Sequence, residues 1–533
     1  MHLSMVFPLA SQFQRLGRSV PRSWGWVLLF VLVTGVFGRS LQNGFVWDDH
    51  EMVENNPHVS DIRGLPELFK NPLSLLTAHP NRDFLVYRPL QLTTYLIERS
   101  LGAETPALFR TTNLLIHVGI VTTLFFVLRT LGFSSVAAFL LTAPFSVHPA
   151  VASVVYNITA RHESLLTLFY LLSVLIVVQG KSRYLFLSLA LYACALLSKE
   201  TAVLVCPALV TAFLALPRWE GSRKLRVSWL AAIALLILGY EIVAKKIGIR
   251  FNPAIFLFAP AAEEWWFVFF QNIGNMTLPF SPAGYREAAT SIAPLSWFSV
   301  CLLAVLLIFA VRRARNKKLL WIGTLTGAPP LLLITTVGLI TGVPQDHYLV
   351  LPTLGLVLVV ASVVPTGAWS RIWIGTAVAI LAVFSVFTFV LGYTWKNEMT
   401  YWSFARETNG ESPRIHRNLW PLFEEEGDSQ KVRFHCERAL ALSSATGRYR
   451  KIHLDSLHCL GALNYRAGET NQSLAYFEKL RALEPAQLQY WVMPLRVLDR
   501  ERRCEQLDRI REQAILRFGE VHELEARNFD CLR

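Results

Sequence analysis

The sequence predicts an all-α fold, in which a polytopic membrane bundle of about eleven helices is followed by a smaller helical domain outside the membrane. Of its 533 residues, 53% are hydrophobic and only 17% are charged, and the mean hydropathy is +0.38. This composition is too apolar for a set of soluble domains. Eleven stretches before residue 395 approach the roughly 20 apolar residues that cross a bilayer. After that residue the sequence becomes charged and helical in pattern.

The predicted spans follow from these apolar stretches. They cover about 24–40, 111–130, 135–155, 163–180, 183–198, 201–217, 228–246, 293–311, 319–341, 349–365 and 372–394. The apolar segment 262–278 is excluded because it carries four polar side chains, which are costly on a lipid-facing helix. These are Glu263, Glu264, Asn272 and Asn275. We expect a helix at the membrane interface there.

Basic residues set the predicted orientation. With a cytoplasmic N-terminus and eleven spans, the inside loops contain a single acid, Glu220, and many cations, as the positive-inside rule requires. The cations are Arg15, Arg18, Arg22, Arg129, Lys181, Arg183, Arg218, Arg223, Lys224, Arg226, Arg312, Arg313, Arg315, Lys317, Lys318 and Arg371. The net charge of +13 therefore reflects membrane topology, and no nucleic-acid partner is predicted.

Three regions result. Residues 1–23 form a cytoplasmic tail, and 24–395 form the membrane domain, with outside loops at 41–110 and 247–292. Residues 396–533 form an extracytoplasmic helical domain.

Within this last region, residues 454–487 show the roughly 34-residue pattern of a tetratricopeptide repeat. Gly461 allows two helices to approach, Gly468 turns between them, Phe477 fills the groove and Pro485 ends the second helix. A weaker copy begins near residue 413, and the helices after 488 are expected to cap the stack. Such a domain offers a platform for a polypeptide, although a purely stabilising cap is the alternative.

Four cysteines lie in this outside region, where oxidation is allowed. If adjacent repeats pack as expected, Cys436 meets Cys459 and leaves Cys504 for Cys531, but the sequence does not fix this pairing.

The stretch FVWDDHEMVENNP, residues 45–57, concentrates acids directly after the first span. They are Asp48, Asp49, Glu51 and Glu54. A solvated acidic loop would be the ordinary explanation. However, other polar residues are predicted at the same membrane face, as expected when several loops on one scaffold build a site. They are Tyr87 and Arg88, Arg161 and Glu163, Lys199 and Glu200, and His347 and Tyr348.

This mixture suits transfer of a sugar from a lipid phosphate. A carboxylate can remove the proton of an acceptor hydroxyl, and clustered cations can bind the phosphate that leaves. The sequence has no glycine-rich nucleotide loop after a strand, no HExxH metal motif and no GxSxG elbow.

Six blocks resemble the transmembrane and tetratricopeptide-repeat (TMTC) protein O-mannosyltransferases and their bacterial relatives. They are FVWDDHEMVENNP, LVYRPLQLTTYLIERSLG, FRTTNLLIH, FSVHPAVASVVYNITARHESL, LLSKETAVLVCP and DHYLVLP. The similarity covers about residues 24–490. It implies a GT-C membrane glycosyltransferase fold, a polyprenyl-phosphate sugar donor such as a mannose carrier, and a catalytic acid in the first outside loop.

The resemblance also assigns roles by position. Asp48 or Asp49 would be the catalytic base, with Asp48 preferred. The donor phosphate would be bound by Arg88, Lys199 and His347. The site would be lined by Glu51, Tyr87, Arg161, Glu163, Glu200 and Tyr348. The family usually has an arginine where this chain has His347, which places a weaker cation there. No metal ligand is predicted, and the involvement of a divalent metal is left open.

The expected partners are the polyprenyl-phosphate sugar, membrane lipid, and a protein or glycan acceptor held by the repeats. The expected location is a bacterial inner membrane. A lipid-linked sugar transporter or flippase is the first alternative function, and it predicts charges near span midpoints. A non-catalytic scaffold that binds partners through its repeats is the second.

Overall fold

A computed structural model describes residues 24–72, 76–77, 86–215, 222–249, 262–279, 284–291, 293–367, 369–525 and 528–532. The predicted cytoplasmic tail, 1–23, lies outside these residues, as do parts of both predicted outside loops. All regular secondary structure in the described ranges is helical, so the all-α fold class is confirmed.

The chain forms two compact units, Met1–Tyr401 and Trp402–Arg533. The α-helices of the first unit are α1 (Trp24–Phe37), α2 (Leu65–Lys70), α3 (Pro89–Ser100), α4 (Pro106–Thr130), α5 (Ser135–Ser146), α6 (Pro149–Tyr156), α7 (Arg161–Val178), α8 (Leu185–Ser198), α9 (Ala202–Leu214), α10 (Arg223–Lys246), α11 (Glu263–Thr277), α12 (Pro294–Arg313), α13 (Lys317–Thr341), α14 (Val350–Val363) and α15 (Arg371–Thr394). Helix α16 (Glu398–Asn409) contains the division. The second unit continues with α17 (Pro413–Glu425), α18 (Ser429–Leu442), α19 (Arg450–Arg466), α20 (Thr470–Leu483), α21 (Gln489–Arg500) and α22 (Cys504–Phe518).

Eight helical segments of the described chain are long and apolar enough to cross a membrane, or nine if the bent pair α5 and α6 counts as one span. The bend between α5 and α6 is 66° and falls at His148-Pro149, where the proline cannot continue the preceding helix. Two of the predicted spans correspond to shorter apolar helices, Ser182–Ser198 and Ala202–Leu214. The count of eleven spans therefore stays a prediction. The segment predicted to lie at the interface forms α11, which has 15 residues.

The burial of these helices distinguishes a core from a lipid-facing shell. The segments Asp346–Val363 and Ile158–Val178 are mostly buried, whereas α12 and α15 are mostly exposed. Their exposed side chains are large and apolar, for example Phe298 and Ile372, and such a surface requires a hydrocarbon environment. The protein is therefore an integral membrane protein.

Two core helices approach each other closely enough for their backbones to touch. Gly323 and Gly327 on α13 face Gly355 on α14, and a Cβ added at Gly355 would lie 2.6 Å from the Gly323 carbonyl oxygen. Small residues four positions apart allow this contact because membrane helices associate through close packing. The contact holds α14 and the polar residues just before it, 346–348, against the bundle.

In the second unit, several features of the repeat pattern appear as helix packing. A Cβ at Gly461 would lie 2.9 Å from the ring of Phe477, and Phe477 is fully buried between α19 and α20. Gly468 turns between these helices at a φ of 76°, a conformation that favours glycine. The assignment as a tetratricopeptide repeat remains a prediction.

Two disulfides join helices of this unit. They are Cys436–Cys459 and Cys504–Cys531, which is the pairing expected from adjacent packing. Closing loops of this length typically contributes about 3 kcal/mol by restricting the unfolded chain.

The close contact between α13 and α14 predicts the effect of one substitution. Gly355→Leu should separate the two backbones and lower the melting temperature of the purified protein in detergent, since overpacking typically costs about 1–3 kcal/mol. Gly375→Leu is the matched control, because a Cβ added at Gly375 on α15 would meet no atom of another part of the chain within 4 Å. Equal stability of the two variants would contradict the contact.

Candidate functional site

The acidic stretch after the first span folds into a tight turn and a short π-helix. Trp47 has a positive φ of 58°, which is rare for a bulky residue and is found where the surrounding structure enforces it. The π-helical turn His50–Glu54 follows at once. The two candidate catalytic bases, Asp48 and Asp49, therefore lie between this strained residue and the π-helical turn.

Two contacts with one residue after the last span, Glu398, hold this turn. The backbone N–H of Trp47 donates to the carboxylate of Glu398, and Nε2 of His50 lies 3.3 Å from the same carboxylate. Glu54 binds the other ring nitrogen of His50. The hydrogen bond to Glu398, together with Glu54, raises the pKa of His50 to about 9.

Asp49 is fully buried and its carboxylate has defined partners. Its two oxygens accept hydrogen bonds from the N–H groups of Val46 and Thr159, each at 3.2 Å, and the Arg110 guanidinium lies 3.7 Å away. Burial raises the pKa of Asp49 to about 7, although Arg110 lowers it. Asp49 thus connects the turn to the start of Ile158–Val178.

Asp48, in contrast, is partly exposed. It lies close enough to Tyr348 and Tyr401 for its charge to act on both hydroxyls. Asp49 is enclosed by protein, so of the two carboxylates Asp48 is the one that lies partly at the protein surface.

Arg88 binds Glu200 through two parallel hydrogen bonds. Nη2 donates to Oε1 at 2.6 Å, and Nε donates to Oε2 at 3.0 Å. Burial alone would raise the pKa of Glu200, but Arg88 outweighs it and lowers the pKa to about 2. This bidentate pair brings the start of α3 to the connection between α8 and α9.

Lys199 is buried and donates to the Glu163 carboxylate. Its ammonium also lies 4.2 Å from the centroid of the Tyr348 ring, a cation–π contact. Burial lowers the pKa of Lys199, although Glu163 opposes this. Since Glu163 belongs to the first turn of α7, α8 must run antiparallel to α7 and return to the same end of the bundle.

These contacts define what we term the outer cluster. It consists of Arg88, His162, Glu163, Lys199, Glu200, His347 and Tyr348. The imidazole rings of His162 and His347 lie 5.6 Å apart, edge to face, and His347 lies 4.2 Å from Tyr348. The charge of Asp48 acts on the Tyr348 hydroxyl of this cluster.

Arg161 occupies a separate position. Its guanidinium donates to Glu98 at 2.6 Å, to Asn113 at 2.7 Å and to Thr94 at 2.9 Å, and also to the Phe109 carbonyl oxygen. It joins α3, α4 and α7, and its N–H groups are occupied by these partners. The predicted site-lining role of Arg161 is therefore not favoured by the geometry.

The other two predicted lining residues, Tyr87 and Glu51, differ in their surroundings. Tyr87 is buried and donates its hydroxyl to the Phe69 carbonyl oxygen at 3.0 Å, which ties α2 to the start of α3. Glu51 lies in the π-helical turn and is partly exposed.

Sequence reasoning missed several residues that build this region. Arg110 and Glu98 are buried partners of predicted residues, and Glu398 holds the turn from the far end of the membrane unit. Arg286 binds Asp346 at 2.8 Å and fixes the segment before Tyr348. An arginine such as Arg110 at the edge of a predicted span was the available signal, since a cation there needs a buried partner.

The described residues contain no group of three or more side chains arranged to hold a metal ion.

Comparisons with known proteins show which families the sequence is similar to. The family model for dolichyl-phosphate-mannose-protein mannosyltransferase matches residues 93–242. The human protein O-mannosyl-transferase TMTC3 is 23% identical over 76% of this chain and 50% of its own length. The Caenorhabditis elegans protein O-mannosyl-transferase F38B6.6 is 23% identical over 73% of this chain and 58% of its own. No solved structure matches.

The chain thus spans about half the length of the curated relatives it matches. The predicted resemblance to TMTC-like proteins of the GT-C type is confirmed by these findings.

The His50 contacts predict a pH dependence of stability. A pKa of about 9 in the folded state, above the usual value for histidine, means that the stabilisation is complete below about pH 6.5 and is lost as the pH rises through about 9. The melting temperature of the wild-type protein should therefore fall more steeply between pH 7 and 9.5 than that of His50→Gln.

His58→Gln is the control, because His58 is an exposed histidine of the same loop. Identical pH slopes for the wild type and His50→Gln would show that the two carboxylates do not hold His50 in this way.

Proposed function

We propose that this TMTC-like chain is a membrane glycosyltransferase that moves a sugar from a polyprenyl-phosphate carrier to a hydroxyl group of a protein at the extracytoplasmic face. The similarity to proteins named as O-mannosyl-transferases supports this reaction class and makes mannose the first sugar to test. The matching family model, described for a dolichyl-phosphate-mannose-dependent enzyme, supports a lipid-phosphate donor.

One observation carries the proposal: Tyr348 lies within 4.2 Å of the Lys199 ammonium, measured to the ring centroid, and the charges of Arg88 and of the partly exposed Asp48 both act on its hydroxyl. Each cation lies on a segment distant in sequence, which supports a shared site over a solvated acidic loop. The described charges lie at the ends of helices rather than at their midpoints, which argues against the transporter alternative.

The chemistry uses this separation of charge. The Asp48 carboxylate takes the proton from the acceptor hydroxyl, and the oxygen forms a bond to the anomeric carbon of the sugar. The bond between that carbon and the carrier phosphate breaks, and the phosphate keeps the electron pair. Arg88 and Lys199 stabilise the negative charge that develops on the leaving phosphate.

The lipid carrier explains the position of the site. A polyprenyl chain can enter only from the bilayer, and the outer cluster lies at the ends of membrane helices. Two helices of the membrane unit, α12 and α15, expose large apolar side chains. A carrier can therefore keep its chain in lipid while its phosphate reaches the cations.

The extracytoplasmic orientation is supported by two independent features. Basic residues gather at the opposite ends of the helices, for example Arg129, Arg312 and Arg371, as expected for the cytoplasmic side. The two disulfides of the second unit indicate an oxidising compartment. A bacterial inner membrane is the location we propose, and the second unit would present the protein acceptor.

Asp48→Asn should abolish transfer while the protein still folds. We expect a loss of at least about a hundredfold in the rate of mannose transfer from polyprenyl-phosphate mannose to a Ser/Thr-containing peptide in proteoliposomes. Asp61→Asn is the matched control, since Asp61 is exposed in the same loop. Mass spectrometry of the peptide measures the product.

Two outcomes would change the assignment. Undiminished transfer by Asp48→Asn would exclude this residue as the base. Movement of the carrier across the vesicle membrane, with no peptide product from the wild type, would favour the flippase alternative.

A further inference from the structure

Two buried histidines of the outer cluster have ring nitrogens with no partner among the residues that the structure describes. These atoms are Nε2 of His162 and Nε2 of His347, and both side chains are only 5% exposed. Buried polar atoms are nearly always hydrogen-bonded, so unpartnered ring nitrogens in a candidate site require an explanation.

The hydrogen-bonding state of His162 follows from its other nitrogen. Nδ1 lies 2.9 Å from the carbonyl oxygen of Thr159. A carbonyl oxygen can only accept, so Nδ1 carries a hydrogen. In the neutral ring, Nε2 is then a lone-pair acceptor.

A ring nitrogen that can only accept a hydrogen bond requires a ligand group that donates one. A fully ionised phosphate oxygen also carries only lone pairs and cannot donate to His162. A hydroxyl can donate to His162 and accept from a second ring, so it suits a pair of histidines whose ring centroids are 5.6 Å apart. The His347 ring was predicted from the sequence to bind phosphate, but its place beside His162 favours a hydroxyl.

The His162 ring is oriented by Thr159, which also contacts other residues of the candidate site. The Thr159 carbonyl oxygen also accepts from Gln91 at 2.8 Å, and the Thr159 N–H donates to Asp49. The same residue therefore positions both the acidic turn and the His162 ring.

Another buried histidine, His117, shows that an unpartnered ring nitrogen alone does not indicate a ligand site. His117 also has an unpartnered ring nitrogen, but its neighbours are the aromatic ring of Phe37, 5.5 Å away and edge-on, and the carbonyl oxygen of Ser146. Among the described histidines, His162 and His347 combine orphan nitrogens with adjacent cations, since the charges of Arg88 and Lys199 act on both rings.

We propose that His162 and His347 form a hydroxyl-binding subsite beside the phosphate clamp, with His162 as the hydrogen-bond acceptor. The hydroxyl belongs either to the sugar of the donor or to the side chain of the acceptor. This inference rests on the proposed function for its ligands, and it adds a specificity element that the phosphate clamp cannot supply.

The first experiment measures binding without turnover. The melting temperature of the detergent-solubilised protein is recorded with polyprenyl phosphate and with polyprenyl-phosphate mannose. For a donor hydroxyl, the wild type should be stabilised more by the mannose-bearing carrier, and His162→Phe should lose that difference. His162→Gln should keep part of it, because its amide oxygen can accept in place of Nε2.

The second experiment separates the two sources of the hydroxyl. His162→Phe should raise the donor KM about tenfold if it binds the sugar, or the peptide KM by a similar factor if it binds the acceptor hydroxyl. His347→Phe should raise the same KM, and the double variant should be less than additive because both rings share one ligand. His117→Phe is the control and should leave both KM values unchanged.

The result that would overturn the subsite is specific. The subsite is excluded if His162→Phe and His347→Phe both keep the wild-type donor KM, the wild-type peptide KM and any additional stabilisation by the mannose-bearing carrier. If the wild type transfers no sugar, the proposed function fails. The difference in melting temperature between the protein with polyprenyl-phosphate mannose and the protein with polyprenyl phosphate still tests the subsite. Equal stabilisation by the two carriers, together with an unchanged peptide KM in both variants, would also count against it.

Discussion

The arrangement of this membrane unit depends on one constraint: an ionised side chain buried at the end of a membrane helix needs a partner of opposite charge. An unpaired charge in such a place is costly, and removal of one partner exposes that cost. The buried pairs are Asp49–Arg110, Glu98–Arg161, Glu163–Lys199 and Asp346–Arg286, and Glu200–Arg88 is a partly exposed pair beside them. Each pair joins segments far apart in the chain, so together they fix the ends of several helices around one region.

The same pairing sets the electrostatic state of the proposed site. Arg88 and Lys199 each already bind a carboxylate, so the four charges nearly balance and an arriving phosphate must share cations with Glu200 and Glu163. A third cation would ease this competition, and an arginine at position 347 would supply one. The histidine here leaves a weaker field for the phosphate and offers hydrogen bonding instead. Position 347 therefore offers hydrogen bonding to a ligand instead of a permanent positive charge.

Much of this could be predicted from the sequence. Apolar runs located the membrane helices, and the polar residues between them predicted that Arg88, Glu163, Lys199 and Tyr348 meet at one end. Burial could not be predicted in the same way, since nothing local distinguishes Asp48 from the enclosed Asp49. The partners of Arg161 and Asp49 lie on other helices, so their roles depend on packing that no single segment encodes. The bend at Pro149 and the short α8 and α9 likewise made the span count less certain than the presence of apolar helices.

The most direct measurement is a cryo-electron microscopy structure of the protein with bound polyprenyl-phosphate mannose. We expect phosphate density within about 3 Å of the Arg88 and Lys199 nitrogens, with the anomeric carbon on the side facing Asp48. Phosphate bound elsewhere, with the Arg88–Glu200 and Lys199–Glu163 pairs unchanged and distant from it, would contradict the proposed mechanism.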